Sequence, residues 1–124
     1  MANRYFNLKR LIIAVVFTAV VVLLTHLPQE VMPTRLQTSH LDKLAHALAY
    51  GVVTFLFTLS LKIAPSWLSV SILFFAILAI GAIDEITQLF VGRTASLVDW
   101  LADSIGVLFT LVFLFVFQNS KRQA

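Results

Sequence analysis

Nine polar residues recur at helical spacing along this chain and could do chemistry together. Asp42, His46 and Tyr50 fall at i, i+4 and i+8, with Lys43 beside the first. Asp84 and Gln88 are one turn apart, with Glu85 between them, and Asp99, Asp103, Gly106 and Thr110 follow at i, i+4, i+7 and i+11. Each set forms one stripe of a helix. His46 could act as a general acid or base, oriented by Asp42 one turn earlier. His with several carboxylates is also a ligand set for a divalent metal. Lys43 and Arg93 could meet phosphate or carboxylate, while Glu85, Gln88, Asp99 and Asp103 could accept hydrogen bonds from a sugar or amine. Taken singly, the spacings are common. Asp42 and Asp99 suit the first turns of helices, and Lys43 and Arg93 suit interfacial anchoring. Asp84 and Glu85 fit that plain reading poorly, because acids near a helix C-terminus oppose the dipole.

The elements that must position these residues follow from composition. Of 124 residues, 60% are hydrophobic and 12% charged, where a soluble domain carries about a quarter charged. Mean hydropathy is +0.94. That oiliness excludes disorder, and the absence of Cys excludes a disulfide scaffold, a thiol nucleophile and a Cys-based zinc site. Apolar runs occupy about 8–27, 44–63, 67–90 and 97–117, each close to the roughly 20 residues that cross a bilayer as helix. The expected fold is an all-α membrane protein, a single domain over 1–124 with four transmembrane helices. Arg4, Lys9 and Arg10 ahead of the first run resemble a signal-peptide n-region. The run is longer than an h-region and no A-x-A site follows, so an uncleaved span is expected. Loops are expected over 28–41, which contains Pro28 and Pro33, around Lys62, Pro65 and Ser66, and at Gly92 and Arg93; 118–124 reads as a basic tail.

The charge split orients the bundle. With both termini inside, the cytoplasmic face holds Arg4, Lys9, Arg10, Lys62, Lys121 and Arg122 and no acid. The outside holds Arg35, Lys43 and Arg93 with all six acids. The net charge of +3 is therefore a topology signal, and no nucleic-acid partner is expected. This N-in, C-in arrangement gathers Asp42, Lys43, His46, Tyr50, Asp84, Glu85, Gln88, Arg93, Asp99 and Asp103 near the outer interface. The first span adds almost nothing but His26 near its outer end. Ala47, Gly51, Gly81 and Gly106 share these faces and allow close helix approach. A charge at the bilayer centre costs from about 2.5 to more than 10 kcal/mol. These shallower acids need less, yet they still need partners, shared protons, water or a cation.

In these residues the chain resembles the VanZ-like membrane proteins, named for an accessory protein of teicoplanin resistance. The resemblance runs through Asp42-Lys43-Leu44-Ala45-His46-Ala47-Leu48-Ala49-Tyr50, then Glu85-Ile86-Thr87-Gln88-Leu89-Phe90, Arg93, Asp99 and Gly106, and covers about residues 28–110. Asp103 stands where Asn is common in that pattern and Thr110 where a second Gly is common. The resemblance implies a multi-pass protein of the bacterial inner membrane, associated with glycopeptide resistance or the cell envelope, and supplies no agreed reaction.

Three functions compete. The expected one is a non-enzymatic factor whose outward pocket, built from the ten residues above, binds a lipid-linked or cell-envelope ligand with no metal and no cofactor. The second is a membrane enzyme acting on lipid or cell-wall precursors, whose acids could hold a divalent metal, with His46 and Asp42 as catalytic candidates. The third, an ion or proton relay, is disfavoured because the inner halves of all four spans lack ionisable groups. The sequence leaves the oligomeric state open. The topology is checked by cysteine labelling in this Cys-free chain. Ser39→Cys is expected to react with an impermeant reagent added from outside, and labelling from the cytoplasmic side alone would reverse the orientation.

Overall fold

The computed structural model describes residues 6–31, 40–61 and 66–123, without the side chains of 29, 119 and 121–123. The helices are α1 (Leu8–Thr25), α2 (His40–Ser60), α3 (Trp67–Gln88) and α4 (Leu97–Gln123), with 3-10 turns at Gln29–Val31 and Leu89–Val91. All four are long and apolar enough to cross a membrane. Their exteriors agree: Leu23, Phe75 and Phe109 are each about two-thirds exposed or more, a surface suited to lipid rather than water.

Local signals set the boundaries. The Asn7 side chain caps α1 by accepting from the Arg10 N–H at 3.3 Å. Ser66 and Ser69 form a reciprocal capping box at the start of α3. Gly92, at φ 75°, ends the turn after α3 in the left-handed region that glycine tolerates best. Two expected bounds shift. α2 starts at His40 rather than near 44, because Asp42 in its first turn suits the dipole and the helix runs on past the apolar stretch. α4 continues to Gln123 where a tail was expected, since no Gly or Pro intervenes to stop it. Most of the 28–41 loop, including Pro33 and Arg35, lies outside the described residues, as do Lys62 and Pro65.

The bundle is built around α2 and α4, which lie parallel and pack more extensively than any other pair. Lys43 faces Asp99, His46 faces Asp103, Ala47 faces Gly106 and Gly51 faces Thr110, so the two helices keep one register over more than two turns. Gly106 is the contact point: a Cβ there would lie 2.0 Å from the Ala47 carbonyl oxygen. α1 flanks α2 and α3 flanks α4. Val21, Tyr50, Val53, Ile77, Val107 and Leu111 fill the centre.

The two ends of the bundle differ. At one end the start of α1 is fastened to the end of α2. The Asn7 N–H donates to the Ser60 carbonyl at 2.8 Å and the Arg10 guanidinium to the Leu59 carbonyl at 3.2 Å. The other end gathers the end of α1, the start of α2, the end of α3 and the start of α4, and holds the polar side chains. Gly106→Ala must force the α2–α4 seam apart, and an expected loss of about 1–3 kcal/mol is read from thermal unfolding in detergent.

Candidate functional site

Every helix contributes to the polar end. His46, Tyr50, Asp84, Glu85, Gln88, Asp99 and Asp103 are all buried, and most are held from a neighbouring helix. The α2–α4 register sets two of the pairs. Lys43 Nζ lies 2.6 Å from Asp99 Oδ1 and 3.6 Å from Asp42 Oδ2. One turn deeper, His46 Nδ1 lies 3.0 Å from Asp103 Oδ1. The carboxylate hydrogen-bonded to His46 is therefore Asp103 on α4, and Asp42, expected as its orienting group, instead lies toward Lys43. Asp42 and His46 share a helix face, but a cross-helix neighbour in register reaches the imidazole more directly.

Asp84 ties three helices together. It accepts from the Thr25 hydroxyl at 2.8 Å and from the Tyr50 hydroxyl at 3.2 Å, and His26 Nδ1 stands 3.3 Å away. His26 Nε2 also reaches Thr87 Oγ1 at 3.0 Å. The first helix thus contributes two site residues, Thr25 as well as His26, where little was expected of it. The sequence signal was a polar pair ending an otherwise apolar run, on the helix whose end the topology brings to this face.

Glu85 serves the loop before α4. Its Oε2 accepts the Ser96 N–H at 2.7 Å, and the Ser96 hydroxyl in turn accepts the Asp99 N–H at 3.2 Å, capping α4. The Arg93 N–H donates to the Gln88 carbonyl at 3.1 Å and its guanidinium to the Thr25 carbonyl. Trp100 Nε1 donates to the Leu78 carbonyl at 3.1 Å, fixing α4 on α3. Gly81 completes the wall, since a Cβ there would sit 3.4 Å from both Asp103 Oδ2 and Tyr50 Cε1.

Among the described residues, three buried polar atoms have no hydrogen-bond partner: Glu85 Oε1, Gln88 Nε2 and Asp103 Oδ2. Beside this cluster a cleft of about 320 Å³ opens between α1 and α2. Val21, Leu24, Leu27, Ala45 and Ala49 form its apolar lining, and Asp42, His46, Tyr50 and Arg93 its polar side.

A small bundle of four apolar helices with buried carboxylates at one end defines a multi-pass membrane protein with an internal polar site. The family model described as VanZ/LLP1 matches residues 2–118, and the chain belongs to that family. No curated protein and no solved structure matches it.

The bonding separates two roles among the acids. Asp84→Ala leaves the buried Tyr50 hydroxyl without its acceptor, while Thr25 keeps the Val22 carbonyl at 2.9 Å, and an expected destabilisation of about 1–3 kcal/mol is read from thermal unfolding in a chelator-containing detergent buffer. Glu85→Gln keeps an acceptor for the Ser96 N–H and removes one negative charge, so stability is expected to hold or rise in the same assay. Unfolding of Glu85→Gln would make that carboxylate a structural partner.

Proposed function

We propose that the protein binds a lipid-linked cell-envelope ligand in the α1–α2 cleft, on the outer side of the bacterial inner membrane. The observation that carries this reading is the two-sided cleft wall. Leu24, Leu27 and Ala45 offer an apolar surface for a lipid chain, and Asp42, His46, Tyr50 and Arg93 border the same space. Pockets that orient a ligand commonly combine a largely apolar lining with a few placed polar groups. Arg93 is anchored through one guanidinium nitrogen, so its remaining donors suit an anionic head group. Asp42 suits a sugar hydroxyl or an amine. The charge split of the sequence supports the outward orientation. The role proposed is in glycopeptide (teicoplanin) resistance or envelope maintenance, in keeping with the VanZ-like resemblance, with binding rather than catalysis as the activity.

A fluorescent polyprenyl phosphate sugar, titrated onto the protein in lipid nanodiscs, tests the reading. Saturable binding is expected, well above that of the head-group-free polyprenol. Ala45→Trp, which fills the cleft from an exposed position, is expected to abolish it. Arg93→Ala is expected to weaken it about tenfold or more, the value of a charge-assisted hydrogen bond. Equal binding of the polyprenol, or binding indifferent to Ala45→Trp, would overturn the proposal. In cells, Ala45→Trp is expected to match a deletion strain in teicoplanin susceptibility.

A further inference from the structure

We infer that His46, Glu85 and Asp103 form a binding site for one divalent transition-metal ion of the Mn²⁺ or Zn²⁺ kind. Each residue offers one ligand atom, and the three atoms lie within 4.8 Å of one another. They come from α2, α3 and α4, so only the folded bundle assembles the set. All three side chains are more than nine-tenths buried. The independent observation is the orphaned oxygens: Glu85 Oε1 and Asp103 Oδ2 have neither solvent nor a hydrogen-bond partner among the described residues. A buried acceptor left in that state is costly, and a cation held by the two carboxylates offsets that cost.

The remaining charges point the same way. Lys43 is held by Asp99 and Asp42 at the edge of the cluster. Arg93 is turned to the Thr25 carbonyl, and Asp84 is satisfied by Thr25, Tyr50 and His26. Glu85 and Asp103 are left with a single imidazole between them. Asp42, His46 and Asp99 make a second group of the same dimensions, but the Lys43 ammonium already stands between its two acids, offsetting one of their charges. One imidazole with two carboxylates suits Mn²⁺ or Zn²⁺ better than Mg²⁺ or Ca²⁺, which favour oxygen-only shells. Gly81 sets no side chain against Asp103 Oδ2, which a Cβ there would approach to 3.4 Å. Metal binding here competes with the proton between His46 and Asp103, so affinity rises with pH.

This site goes beyond the cleft reading and does not depend on it. Its test uses purified, chelator-treated full-length protein in detergent, with Mn²⁺ followed by electron paramagnetic resonance and Zn²⁺ by competition against it. Saturable binding of one ion per chain is expected, with a melting temperature that rises with ion concentration. Glu85→Gln and Asp103→Asn, each confirmed helical by circular dichroism, are expected to weaken binding by at least about tenfold. Should Asp103→Asn fail to fold, Glu85→Gln decides. The inference is overturned by absence of saturable Mn²⁺ or Zn²⁺ binding, by a response to Mg²⁺ or Ca²⁺ alone, or by binding that is lost in Asp42→Asn yet survives Glu85→Gln.

Discussion

The approach of α2 to α4 at Gly106 is the contact on which the polar end depends. With no side chain at 106, the Ala47 carbonyl rests where any Cβ would stand. Close backbone approach is a principal source of association between helices in lipid, where the hydrophobic effect between helices is absent. Because the two helices are parallel, the same seam carries upward in register. His46 precedes Ala47 and Asp103 lies three residues before Gly106, so closing the seam sets the imidazole against the carboxylate. Lys43 and Asp99 meet one turn farther out. Packing of the smallest residue and pairing of the most expensive ones are thus a single event.

Asp84 extends that arrangement to the other helices. Its carboxylate collects hydroxyls from α1 and α2, which holds the wall of the cleft in place. Glu85, next in sequence, caps nothing on its own helix and instead supports the turn that launches α4. Adjacent acids therefore differ in kind. One is saturated by protein groups, and the other keeps an oxygen in reserve beside Asp103. A buried polar network only partly satisfied from within is the pattern expected of a site that receives something from outside.

Much of this was legible in the sequence. The apolar runs located the four helices within a few residues, and the i, i+4 stripes named the residues now found together, because side-chain direction in a helix follows from position alone. Partner choice was not legible. Asp42 and His46 share a face, so spacing favoured them as a pair, while the register that gives His46 to Asp103 exists only between helices. Thr25 was passed over, and His26 noted without a partner, for a related reason: at the end of an apolar helix, polar residues look like an interface with water. The length of α4 was also hidden, since hydropathy marks where a helix leaves the hydrocarbon and not where it unwinds.

The parallel α2–α4 pair has a consequence for biosynthesis. Parallel neighbours cannot be consecutive in the chain, and here the whole of α3 separates them. α2 is the least apolar of the four spans, and it carries Lys43 and His46 into the membrane before Asp99 and Asp103 have been made. The α1–α2 hairpin therefore enters the bilayer with Lys43 offset only by Asp42, His46 without its carboxylate, and its seam open. Only α4, made after both, supplies Gly106 and the matching acids. Closure of the seam thus waits on α4: a product that stops before it lacks both Gly106 and the carboxylates that face Lys43 and His46.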